Sequence, residues 1–159
     1  MKKFTYFLMV TLVTLFTFSC SNDDDSGNGD VNNPKNSYLK VIIDGKEKTF
    51  NTIIVNKTID EYEINVLQVT ASINNESSEK INFTLKDGQI GSDATSKYGW
   101  FTYTINNKTY QESGFSHIIS KNSNNKIEGT FSGKMNAYNN DAQQYEYKEF
   151  TKGEFKIQY

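Results

Sequence analysis

A chain of 159 residues with a single cysteine cannot rest on internal disulfides. Its 17 basic residues are all lysine, set against 19 acidic residues for a net charge of −2. With an acidic balance and none of the arginine forks that grip phosphate and guanine edges, nucleic acid is not an expected partner.

The N-terminus opens with Met1, Lys2 and Lys3, followed by an uncharged run from Phe4 to Phe18. That run is shorter than the roughly 20 residues a membrane-spanning helix needs. It has the length of the apolar core of a secretory signal, so residues 1–19 are expected to be a removable leader. Its loss with Lys2 and Lys3 leaves 15 basic against 19 acidic residues, a net of −4. Ser19 then supplies the small residue before the break, and Cys20 follows. A thiol there is placed to take a diacylglyceryl group, after which the freed amine takes another acyl chain. Two or three chains anchor firmly, at about 0.8 kcal/mol per buried CH₂. The competing reading is an ordinary cleaved signal with an incidental cysteine.

Residues 20–36 continue as "CSNDDDSGNGDVNNPKN", almost without apolar side chains. Such a segment cannot offset its ordering entropy by burial. It is expected to be a flexible acidic tether with a root-mean-square span of roughly 20–25 Å. The junction "FSCSNDDDS" resembles that of Bacteroidetes-type lipoproteins, with Ser21, Asn22 and Asp23 to Asp25 in the place of the surface-export signal. Thr17 departs from the leucine of the general motif. The resemblance implies a lipid anchor in the outer membrane with display on the cell surface; an anchor facing the periplasm is the rival.

From residue 37 to the end, a single domain is expected whose apolar residues recur with period two. Leu67, Val69, Ala71 and Ile73 form the core face of a long run from Tyr62 to Asn74, and Ile81, Phe83 and Leu85 that of the next. "YGWFTYTI" at 98–105 is dense in strand-forming side chains. There Tyr98, Trp100, Thr102 and Thr104 share one face, and Phe101, Tyr103 and Ile105 the other. Ile127, Gly129, Phe131, Gly133, Met135 and Ala137 alternate with polar residues, as do Phe155, Ile157 and Tyr159. Gly129 and Gly133 leave two gaps for a large neighbour such as Trp100 or a tyrosine.

Asp44-Gly45, Asp87-Gly88 and Asn106-Asn107 supply turn residues. "NNESSE" at 74–79, "NSNN" at 122–125 and "NNDA" at 139–142 read as longer loop tips. The fold class is therefore all-β: an antiparallel meander of about eight to ten strands, closed into a β-sandwich or, alternatively, a calycin-like β-barrel. The domain also resembles an uncharacterised family of small Bacteroidetes lipoproteins, through "IDGKEKTF", "IEGTFSGKM" and "TKGEFKIQY". That resemblance implies no activity and no site residues.

Catalytic chemistry finds little footing. His117 is the lone histidine and lacks the partners that a metal or nucleophile site requires. There is no G-x-S-x-G elbow, no calcium loop and no phosphate cradle. Glu61 and Glu63, placed two apart on a strand face, read as a solvated edge. No enzyme activity, cofactor or metal is expected. Aromatic content points elsewhere, with ten tyrosines and a tryptophan. Flat rings form platforms for sugars, and Trp100, Tyr98, Tyr138 and Tyr145 are the candidate ligand-binding residues. The expected partners are the membrane, through lipid on Cys20, and a glycan or other extracellular ligand. The alternative is a structural or accessory protein docked on an outer-membrane complex.

Overall fold

The computed structural model describes residues 36–95 and 101–159. Cys20, the leader, the tether up to residue 35, and both Tyr98 and Trp100 lie outside them. Among the described residues nine strands run in chain order: β1 (Tyr38–Ile43), β2 (Lys46–Phe50), β3 (Thr52–Ile59), β4 (Asn65–Ile73), β5 (Glu76–Lys86), β6 (Thr102–Ile105), β7 (Lys108–Ser123), β8 (Lys126–Asn139) and β9 (Gln144–Gln158). Every pairing is antiparallel. The strands form one curled sheet in the order β2-β1-β9-β8-β7-β6-β5-β4-β3. The all-β meander expected from the periodicity is the architecture observed.

The two outermost strands are neighbours in sequence, separated by Asn51 alone. The chain thus leaves one edge of the sheet and enters the other within a residue, which curls the sheet into a half-barrel. The Lys48 ammonium on β2 reaches Glu79 on β5 across that corner. At the opposite end, Lys57 of β3 lies 5.0 Å from the ring centroid of the terminal Tyr159. No helix among the described residues is long and apolar enough to cross a membrane.

Four tight turns share one backbone geometry, three of them built from asparagine pairs. Asp44-Gly45, Asn74-Asn75, Asn106-Asn107 and Asn124-Asn125 each join two strands with both residues at positive φ. That is the requirement of the type I′ hairpin, whose twist matches that of its strands. "NNESSE" is therefore not a long loop: two asparagines turn, and Glu76 to Glu79 belong to β5. "NSNN" is likewise a two-residue turn closing β7 on β8. The run from Tyr62 shortens too, since β4 begins at Asn65. Glu61 and Glu63 sit in the β3–β4 turn, exposed, and not on a strand face.

The inward face is a continuous aromatic core. Phe83 stacks on Phe101 at 4.5 Å, and the chain of rings continues through Phe131, Phe155, Phe115 and Phe150 to Tyr103 and Tyr110. Leu67, Val69, Ala71, Ile81, Leu85, Ile127, Met135 and Ile157 fill the remainder, as alternation predicts. Of the two faces proposed for 98–105, the one holding Phe101 and Tyr103 is core. The gap at Gly129 is filled by Phe155, whose Cζ would lie 2.6 Å from an added Cβ; Trp100, the other neighbour expected there, lies outside the described residues. A Cβ added at Gly133 would instead clash with backbone, the Gly114 carbonyl oxygen and the Phe115 Cα. β6 is short, so the segment from Asp87 to Thr95 fills the space between β5 and β7. Gly91 pairs with Ile119, and the buried Asn122 amide donates to the carbonyls of Lys86 and Gln89.

Candidate functional site

The β8–β9 hairpin carries the exposed aromatic surface. Its ladder sets Tyr138 opposite Tyr145 and Asn136 opposite Tyr147. These residues point outward because Ala137 and Glu146, the intervening pair, point inward. Tyr138, Tyr145 and Tyr147 are 46%, 56% and 56% exposed. The first two rings meet edge to face, 5.2 Å apart at 70°, and form an open corner. Gln111 on β7 lies beside Asn136, and Lys134 lies beside Glu149. The result is an aromatic patch fringed by groups that donate and accept hydrogen bonds.

The underside of the hairpin is pinned by charge. The Glu146 carboxylate accepts from the Lys108 ammonium, the Asn139 amide and, at 3.2 Å, the Tyr110 hydroxyl. The Lys108 and Asn139 hydrogen bonds hold its pKa down at about 2. Burial, then the Glu146 carboxylate, raises the Tyr110 phenol. Lys148 donates to Asp44 at 2.6 Å, and the Glu149 amide donates to the other Asp44 oxygen at 3.0 Å. That contact raises the Lys148 pKa. Burial alone would raise Asp44, but Lys148 and the Glu149 amide outweigh it and lower it. The tip is shaped by Asn139, whose side-chain oxygen accepts from the amides of Asp141 and Ala142. Such a scaffold fixes the outward rings without using them.

Two of the four sequence candidates, Tyr138 and Tyr145, are thus brought together, and Tyr147 joins them. Trp100 and Tyr98 fall outside the described residues. His117 points into the core against Phe101, with ring centroids 5.4 Å apart and both ring nitrogens unpartnered. The described residues contain no group of three or more His, Cys, Asp or Glu able to hold a metal. The lysine–carboxylate–tyrosine clusters had no sequence signal, since each carboxylate lies 24 to 38 residues from its lysine and its tyrosine. No family model, no curated protein and no solved structure matches this chain.

The site also has a definite place relative to Ser37, at the start of the described residues. Ser37 is clasped to the last strand, its hydroxyl donating to the Gln158 carbonyl and accepting from the Gln158 amide. The chain therefore enters beside the end of β9, whereas the tyrosines stand at its start. The 15 residues of β9 separate the two by roughly 45 Å of strand.

Proposed function

We propose that this chain is a lipid-anchored envelope lipoprotein of the Bacteroidetes type, tethered through Cys20 to the outer membrane and displayed on the cell surface, whose β-domain binds a glycan without catalysis. The observation that carries this reading is the exposed trio Tyr138, Tyr145 and Tyr147, held at the end of the sheet remote from Ser37. Aromatic faces flanked by Gln111, Asn136 and Lys134 suit the apolar faces and hydroxyl rims of sugar rings.

Two measurements test the two halves. Cells fed labelled palmitate should label the chain, and Cys20→Ala should abolish the label; equal labelling of the variant removes the anchor. Thermal melting against a glycan panel should reveal one class that raises Tm. A ligand at a hundred times its Kd adds about 2.7 kcal/mol, which for this size is a rise of roughly 10 °C. Tyr145→Ala with Tyr147→Ala should erase the rise.

The docking alternative has its own support. β3 is an edge strand, and it exposes Ile54 and Ile59. Unpaired edges template strand addition. Crosslinking in intact cells that captures an outer-membrane protein, and loses it on Ile54→Lys, would favour this reading over the first.

A further inference from the structure

A second feature lies on the same outward face, some distance along β8 from the tyrosines. An extra residue bulges β9 at Thr151–Lys152 opposite Ser132, and another bulges β7 at Ser113–Gly114 opposite Lys134. Bulges bend a strand and re-aim its side chains. Lys152 is held at φ 52, a conformation uncommon outside glycine. Between the bulges a depression of about 370 Å³ opens to solvent. Two rows of cross-strand neighbours floor it: Ser116 beside Ser132, and Ile118, Thr130 and Glu154 in line. All are exposed, Ile118 to 57%. Lys152 and Glu154 border it, and neither forms an ion pair among the described residues.

Two properties define the ligand. The first is charge. On β8 and β9, along the strip from the tyrosines to the depression, outward-facing Lys134 and Lys152 are matched by Glu149 and Glu154, so that strip has no net sign to attract a polyanion. What it offers is hydroxyls, carboxylate, ammonium and one apolar side chain, which suit a neutral polyol. The second is continuity. Tyr138, Asn136, Lys134, Ser132 and Thr130 point outward along one unbulged strand. Tyr138 to Thr130 spans roughly 27 Å of strand, and no described loop crosses it.

We propose that the bulge depression is a second sugar subsite, and that together with the tyrosine patch it grips an internal stretch of an extended neutral polysaccharide. This rests on the glycan-binding reading above. The mature full chain is run through native gels loaded with xylan, galactomannan, mixed-linkage glucan or polygalacturonate. Oligosaccharides of the retarding polymer, from disaccharide to hexasaccharide, are then titrated by calorimetry. A neutral polymer should retard the chain and polygalacturonate should not, and the hexasaccharide should bind about tenfold tighter than the disaccharide. Ser132→Ala with Glu154→Gln, both exposed sites, should remove that gain and leave disaccharide binding and the near-UV spectrum unchanged. Equal affinity at every length, or a hexasaccharide indifferent to the double variant, overturns the second subsite while the tyrosine patch stands. Retardation by polygalacturonate alone overturns the neutral ligand. Retardation in no gel overturns the patch and the subsite together.

Discussion

Tyr103, whose ring is buried in the core, donates its hydroxyl to Glu79 Oε1 at 2.6 Å, and the same oxygen takes the ammonium of Lys48. One carboxylate thus satisfies a phenol from the core and ties β2 to β5 across the corner of the curled sheet. Removing it by Glu79→Ala leaves a buried hydroxyl unpaired, at a cost of about 1–3 kcal/mol. The contact also has a pH signature. Burial, and then Glu79, raise the Tyr103 pKa above its ordinary 10.0. Below pH 10 both the folded and unfolded chains keep the proton. Above it the unfolded chain releases a proton that the folded chain retains, so this stability is lost as pH rises. Urea unfolding should show a fall in stability beginning near pH 10, and Tyr103→Phe should make it shallower, with the raised Tyr110 and Tyr159 phenols keeping a residual slope. An unchanged slope would detach Tyr103 from the effect.

On the acid side Glu146 contributes. Its hydrogen bonds from Lys108 and Asn139 lower its pKa from 4.5 to about 2. The stabilisation is fully present above pH 4.5 and lost as pH falls toward 2, where the folded carboxylate also takes its proton. Glu146→Gln should therefore reduce the difference in denaturation midpoint between neutral and acid pH. Asp44, lowered by Lys148 and the Glu149 amide, acts in the same direction and should keep a residual slope in that variant.

These networks mark where sequence reading stops. The alternation of β8 was legible from Ile127 to Ala137 because no extra residue interrupts that strand. β7 and β9 each switch the parity of their inward residues at a bulge: Tyr110 and Phe115 both face in, as do Phe150 and Gly153. Nothing local announces the switch at Lys152, which is not a glycine. The Asn-Asn turns were visible as turns, but their tightness was not, because the polar residues after Asn75 look like loop. They are strand residues that hold contacts at the rim, Glu79 above all. Tyr138 and Tyr145 were legible as candidates because, with Tyr147, they surround one loop and strand. Their common face with Tyr147 followed only from the register.

His117 is the oddity of the core. Both imidazole nitrogens are shielded and unpartnered, and each unsatisfied polar group costs about 1–3 kcal/mol. The ring lies against Phe101 among apolar neighbours. His117→Phe keeps a flat ring there and removes the unmet demand. We expect a gain of about 1 kcal/mol in chemical denaturation, with glycan retention unchanged. A loss of stability would show that the imidazole satisfies a need that the fold conceals.

The close approach of backbone to ring at Gly153 tests the packing of the bulge itself. A Cβ at this position would lie 2.5 Å from the Phe131 carbonyl and 2.6 Å from its ring. The carbonyl is fixed by the β8 ladder, and the ring is wedged between Phe101, Phe115 and Phe155. Neither yields cheaply, so Gly153→Ala should cost about 1–3 kcal/mol by overpacking. Gly45→Ala is the contrast. Nothing lies within 4 Å of its added Cβ, and only the positive φ of 78° opposes it. That conformational strain is worth about 1–2 kcal/mol. The two costs differ in kind, and Asn substitution separates them. Gly45→Asn should recover much of the loss, because asparagine tolerates the left-handed region, as Asn75, Asn107 and Asn125 do at the equivalent turn position. Gly153→Asn should be worse than Gly153→Ala, because its larger side chain meets the same carbonyl and ring.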